Sequence, residues 1–413
     1  MKRQILFFED EGVTNFYPLT LNRPVYDLRC GIRPLWEKGM GCYPSAEAAF
    51  HVRPYLAALL REQRPEVPVN GGFADRALLV NGRVLWNAAL AQSIPIEGED
   101  ELFVCGETLV AARLSGEALA KVDWSTFISR SVFGSVKTTT VQAEVITYVW
   151  DLVYANPAQI GADCAFLGCH GAKEGLVDPG VYFLSPENIT LAPGARLKPG
   201  VVIDAEKGPV FIDEGAQIYP HAVIEGPCYV GKQSWVMVSA KIYEGVSIGE
   251  CCKIGGEVEE SIIHSFSNKR HDGFLGHSYL GQWVNLGADT NNSNLKNNYG
   301  TVDCYVNGEP VSTGRMFMGL TVGDHSKAGI NTMFNTGTVM GFSCNIFGTN
   351  FPPKYIPSFA WGGEEGFVDY RFSRALVSAR RCLARRQLEI NETEAAVFQH
   401  IFEMTVSERE RFF

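Results

Sequence analysis

Aliphatic residues recur at every sixth position through the middle of the chain: Ile212, Ile218, Ile224, Val230, Val236, Ile242, Ile248 and Ile254. A helix spaces its apolar residues three and four apart and a half-buried strand spaces them two apart, so neither accounts for this run. The period is that of a hexapeptide solenoid: six residues make one short flat side, three sides close a triangular coil, and the aliphatic residue points to the axis. Neighbouring coils then stack at the spacing of paired strands, about 4.8 Å. The same register holds at Leu191, Leu197 and Ile203, slips by three residues before Ile212, and returns at Val322, Ala328, Phe334, Met340 and Ile346. Between Ser261 and Met318 it is broken. An up-and-down β-sandwich is the other arrangement that such short strands allow.

The flanks read differently. Toward the N-terminus, short apolar runs at Ile5–Phe8, Ala77–Val80 and Leu102–Val104 alternate with a helical stretch over Arg53–Arg61, a pattern of α/β layers. A Pro- and Gly-containing stretch from Asn156 to Gly180 reads as the passage into the solenoid. After Phe351-Pro352-Pro353 the pattern turns helical, with Phe372, Leu376, Ala379 and Leu383 on one face and Arg374, Arg380, Arg381, Arg385 and Arg386 on the other. Asn391 with Glu394 three residues on forms a helix-capping pair. The apolar face is expected to cover the open end of the solenoid. The arginines are a solvated face or, alternatively, a site for a cofactor's phosphates. The expected division is residues 1–155 (α/β), 156–190 (connection), 191–350 (β-helix) and 351–413 (helices).

Composition narrows the function. A chain of 413 residues suits two or three domains. Its formal net charge of −10 argues against nucleic acid as the main partner. The apolar run at the N-terminus is too short for a signal-peptide core, and no stretch is long enough to span a bilayer, so no membrane association and a cytoplasmic location are expected. The 11 cysteines show no zinc spacing and read as buried thiols.

Two segments carry candidate chemistry. In the broken part of the repeat, His271 to Gly281, Asn285 to Thr290 and Asn297 to Tyr299 concentrate His, Asn and Tyr where aliphatics are expected, which points to a cleft. An imidazole there can take a proton from an attacking amine, and amides can fix sugar hydroxyls. A corner histidine bonded to backbone is the bland alternative for His277. Near the N-terminus, Pro18 to Ile32 follows the first strand and carries Arg23 and Arg29, with Lys38 close behind. Cations at a strand-to-helix turn can hold the charge of a triphosphate, and a helix opening at Gly31 would add its amides to the same anion site. The alternative is a loop pinned by ion pairs.

The run from His271 to Gly348 resembles the acetyltransferase domain of the bifunctional N-acetylglucosamine-1-phosphate uridyltransferase/glucosamine-1-phosphate acetyltransferase family. It is most similar to a divergent branch, through Ser293-Asn294-Leu295-Lys296-Asn297-Asn298-Tyr299 and Asn335-Thr336-Gly337-Thr338-Val339. Pro18 to Ile32 and Tyr148 to Leu152 resemble the nucleotidyltransferase domain of the same branch, although the glycine-rich Gly-x-Gly-Thr-Arg turn of ordinary members is missing.

The resemblance implies an α/β nucleotidyltransferase-like domain followed by a left-handed parallel β-helix and C-terminal helices. It implies His277 as general base and Tyr279, Asn285, Asn298 and Tyr299 as sugar-phosphate contacts, with Lys269 and Arg270 near the phosphate. Acetyl-CoA would be the acyl donor, bound between subunits of a homotrimer. Nucleotidyl transfer between a nucleoside triphosphate (UTP or dTTP) and a sugar 1-phosphate, with Arg23, Arg29 and Lys38 holding the charge, ordinarily requires Mg²⁺. Asp10 is the candidate metal ligand. The departures from the family pattern also permit two other readings: a nucleotidyltransferase whose β-helix serves trimerisation and regulation, or a non-catalytic sugar-nucleotide-binding regulator.

Overall fold

The computed structural model describes residues 3–169, 171–363 and 365–413. The N-terminal part is a six-stranded mixed sheet. Its first strand, Gln4–Phe8, lies between Glu47–Phe50 and Arg76–Asn81 and is parallel to both. The apolar run Ile5 to Phe8 is buried on both faces, as a central strand between helices must be. At its end Glu9 turns inward. Its carboxylate accepts the amides of Val25 and Arg53 and pairs with the Arg53 guanidinium, which holds the loop after the strand against the sheet.

Helix Val149–Leu167 links the two halves, so the expected boundary at residue 155 falls inside one helix. It carries Pro157, yet runs for 19 residues to a left-handed cap at Gly168. The coils then begin at Leu176–Val177, ahead of residue 191, and the last strands on that side end at Asp369, beyond residue 350.

The solenoid is a parallel β-helix with three sides. Side one runs through nine strands, from Ile189–Leu191 to Tyr355–Ile356. Side two has eleven, from Leu176–Val177 to Gly366–Asp369, the last folded back antiparallel on Ala360–Gly363, and side three has six, from Tyr182–Leu184 to Phe274–Gly276. Strands pair in register, so the aliphatic positions fall directly above one another and are fully buried. The apparent break after Ser261 is a change of edge length: the inward stack continues through Ile263, Lys269, Leu275, Leu280, Leu286 and Asn292 to Val322. Residues between Asn292 and Thr321 leave the coil and include the hairpin Asp303–Val306 with Glu309–Ser312.

The C-terminal helices Phe372–Ala384 and Glu392–Met404 do not cap the open end as expected. Their apolar faces pack sideways, against helix Pro54–Gln63 of the sheet domain and against Phe342 and Phe359 on the edge between sides one and two. One buried cluster therefore contains residues of the sheet domain, the β-helix and the C-terminal helices together.

Candidate functional sites

His277 lies on the edge between sides three and one, at a φ of 46°. Its ring stacks on Phe317 at 5.1 Å and meets Tyr154 of the linking helix. Burial alone pushes its pKa down to about 4, so the ring is neutral at physiological pH. The Asn294 amide nitrogen is 3.1 Å from Nδ1 and donates to Glu259 at 2.8 Å. With that amide donating, Nδ1 accepts and the ring proton sits on Nε2. Glu259 Oε1 stands 3.8 Å from Nδ1. If this carboxylate replaced Asn294, Nδ1 would carry the proton and the Nε2 lone pair would be free. Asn294 lies in the quoted motif, but nothing in the sequence singled it out, and Glu259 gave no signal at all.

The residues expected around His277 do not gather there. Lys269 is a correction: register with Ile254 makes it an inward position, and its Nζ is buried and donates to the carbonyls of Gly255 and His271. Burial lowers its pKa to about 8. Tyr279 is also corrected, because side one is covered by the sheet domain. Its hydroxyl is spent on the backbone of Arg29, accepting from the amide and donating to the carbonyl. Asn298 and Tyr299 face solvent on the loop outside the coil.

Arg270 and Asn285 do come together, with Lys253, Arg385 and Arg386, in a basic groove of about 400 Å³ along side two. In a triangular coil an edge faces the opposite side, so this groove lies across the coil from the edge that carries His277. One chain does not bring its own groove to its own histidine.

The anion site expected near Gly31 exists, but the protein fills it. The amides of Ile32 and Arg33 donate to Asp163 of the linking helix at 2.9 and 3.1 Å, and Lys38 Nζ reaches the same oxygen at 2.6 Å. Gly31 has a φ of 78°, and a Cβ there would lie 2.6 Å from that carboxylate. Helix Leu35–Cys42 starts four residues later than the expected opening. Lys38 is thus buried beside Asp163 and its pKa is lowered by that burial, so its assignment to a nucleotide is corrected to an ion pair. Asp10 is corrected in the same way: its oxygens accept from Gly12, Asn81 and Arg83. Among the described residues no three His, Cys, Asp or Glu side chains are placed to hold a metal, so Mg²⁺ enters no step below.

Arg23 and Arg29 go elsewhere. They line a chamber of about 410 Å³ closed by the sheet domain, the edge between sides one and two, and the C-terminal helices. Arg23 pairs with Asp324 and Arg29 with Glu250, both on the β-helix. His264, Gln282 and His325 complete the β-helix wall. Burial holds the pKa of both histidines well below the usual value. No sequence signal separated these edge positions from their neighbours.

A mixed sheet with a cation-rich loop at the end of its first strand, joined to a β-helix, makes a two-part architecture. Residues 5–170, the sheet domain through the linking helix, match the family model described as sugar nucleotidyl transferase. The chain is similar to a bifunctional sugar-1-phosphate nucleotidylyltransferase/acetyltransferase of Sulfurisphaera tokodaii, with 35% identity over 34% of this chain and 36% of that protein. It is also similar to bifunctional GlmU proteins of Rippkaea orientalis (29% identity; 30% of this chain, 31% of that one) and Acaryochloris marina (25%; 42% and 39%). It is a divergent relative of these proteins and spans about a third of their length. Among solved structures, UDP-N-acetylglucosamine acyltransferases of Arabidopsis (TM-score 0.22, 14% identity) and Francisella novicida (0.26, 12%) each cover 57% of this chain, which covers 91% and 89% of them. No helix among the described residues is long and apolar enough to cross a membrane.

Proposed function

We propose that the protein is a sugar-1-phosphate nucleotidyltransferase fused to an acetyl-CoA-dependent amino-sugar-phosphate acetyltransferase, forming UDP-N-acetylglucosamine or a related sugar nucleotide. The observation that carries this reading is the match of residues 5–170 to the sugar nucleotidyl transferase model, ending where the β-helix begins. Nucleotidyl transfer is attack of the sugar phosphate on the α-phosphate of UTP or dTTP, with pyrophosphate leaving. Arg23 and Arg29 supply charge only after loosening their pairs with Asp324 and Glu250.

In acyl transfer, His277 takes the proton of the sugar amine as the amine attacks the acetyl thioester and the CoA thiol leaves. This needs the proton on Nδ1, with Glu259 holding it. The groove of Lys253, Arg270, Arg385 and Arg386 suits the phosphates of acetyl-CoA. Because the groove lies across the coil from His277, the reading calls for a neighbouring subunit, and a homotrimer supplies it. Asn285 sits in the same groove.

The test is a matrix of sugar 1-phosphates against four nucleoside triphosphates, read by pyrophosphate release, beside CoA release with amino-sugar phosphates. Turnover in both assays is expected. Pyrophosphate release alone would leave the β-helix a trimerisation or regulatory part, and silence in both would overturn the enzymatic reading.

A further inference from the structure

The linking helix Val149–Leu167 ends in a cap that brings two cysteines together. Gly168 is left-handed at a φ of 71°, its amide donates to the Ala165 carbonyl, and the Cys169 amide donates to the Cys164 carbonyl at 2.9 Å. These two bonds close a Schellman turn, in which the side chains four residues before and one residue after the glycine commonly meet. Here those residues are Cys164 and Cys169. The bond between their backbones also limits their separation. An amide nitrogen lies about 1.46 Å from its Cα and a carbonyl oxygen about 2.4 Å from its own, so the two Cα atoms are at most about 6.8 Å apart, within reach of a disulfide.

The two thiols have different surroundings. Cys164 is buried against Ile32, Ile160 and Tyr229, where the loop that carries Arg29, the linking helix and side one of the β-helix meet. Cys169 is half-buried and lines an open groove of about 670 Å³ between that loop and side one. A hydrogen bond between the two thiols raises the pKa of Cys164 and lowers that of Cys169. One thiol is thus reachable and readily ionised, and the other lies behind it, protonated and shielded. Thiol–disulfide exchange uses that order, with an accessible thiolate attacking first and a second thiol resolving.

We propose that Cys164 and Cys169 form a reversible redox site whose oxidant is a low-molecular-weight disulfide such as glutathione disulfide. The Cys169 thiolate attacks one sulfur of that disulfide, so that a mixed disulfide forms and one thiolate leaves. Capping Cys169 removes the hydrogen bond that holds Cys164 protonated. Cys164 then gives its proton to the departed thiolate and its sulfur attacks Cys169 Sγ, releasing the second thiol and leaving a Cys164–Cys169 bond. The protein pair loses two electrons and two protons, and the oxidant becomes two thiols. The site goes beyond the proposed transfer reactions and does not rest on them.

The test treats the native full chain with millimolar glutathione disulfide, then quenches with acid, unfolds, alkylates and maps the tryptic peptides by mass. Residues 138–173 hold no Lys or Arg before Lys173 and no cysteine besides these two, so one peptide reports on both. That peptide should lose two hydrogens, the free thiols should fall from 11 to nine, and dithiothreitol should restore both. Cys164→Ser should instead hold a glutathione adduct on Cys169, and Cys169→Ser should leave Cys164 reduced. An unmodified peptide, an adduct that persists on Cys169 in the wild type, or a bond from either residue to a third cysteine would overturn the proposal. The wild-type peptide map is decisive by itself if either variant fails to fold.

Discussion

At the level of single residues, His277 offers the sharpest test of the acyl-transfer reading. Asparagine tolerates a positive φ, so His277→Asn should fold and isolate the loss of the imidazole. CoA release should fall by roughly 10²- to 10⁴-fold, the usual worth of a general base. His221→Asn, at an edge position of an earlier coil with a φ of 61°, controls for edge packing and should keep full acyl transfer. Equal rates in wild type and His277→Asn would remove the base from the mechanism.

Histidine burial also sets a pH dependence. His277 and His51 are held neutral in the folded state, with pKa values pushed down to about 4 by burial, against 6.5 for the free side chain. Between these values the unfolded chain takes up protons that the folded one does not, so stability falls as pH drops from about 6.5 toward 4. Urea midpoints should therefore decline over that window. A stabilisation on acidification would show that the rings are charged in the native state.

Legibility was uneven at this scale. The residue types of both candidate sites stood out, but their partners did not. Asp163 is over a hundred positions from Lys38, and only the fold shows that it fills the anion site before any ligand can.

Among the elements, the eight-member aliphatic run was readable because identical sides repeat without insertions, and each inward position reports the next. The coils after Ser261 hid the same stack, because shortened edges shift the spacing and Lys269 and Asn292 occupy inward positions that composition assigns to a cleft. The linking helix was missed for a different reason. Pro157 and Gly161 suggest a loop, whereas tertiary anchors hold the helix: Asn156 accepts from Gly31, at one end of this contact, and donates to Gly245 of the β-helix at the other. Asp163→Ala removes the carboxylate that Lys38, Arg33 and two loop amides share. Leaving a buried ammonium unpaired typically costs about 3–5 kcal/mol, so a large fall in Tm is expected, and loss of Lys38 as well should restore part of it. Wild-type stability in Asp163→Ala would mean that Lys38 escapes to solvent.

For the whole molecule, the placement of the basic groove across the coil from His277 makes assembly a chemical requirement of the proposed acyl transfer. Light scattering at micromolar concentration should give three times the mass of 45.5 kDa. A monomer would separate groove from histidine and end the shared-site mechanism. The sheet domain and the β-helix were each foreseeable from pattern, but their mutual docking was not, because it depends on single residues such as Tyr279 and Arg29 meeting across 250 positions.

The buried cluster that runs from Ile5 through Ile262 and Tyr279 to Phe398 bears on how this protein comes apart. Two-part enzymes usually melt in separate steps, each part keeping its own interior. Here the sheet domain cannot lose its packing without stripping side one of the β-helix and releasing the C-terminal helices. Scanning calorimetry should therefore record one endotherm in which the sheet domain, the β-helix and the C-terminal helices unfold together. Two resolved peaks would mean that the common interior is dispensable. A single peak would mean that the chain cannot be divided at the linking helix without loss of both halves: they would be partners in one cooperative unit, and heat, acid or a protease would have to defeat both at once.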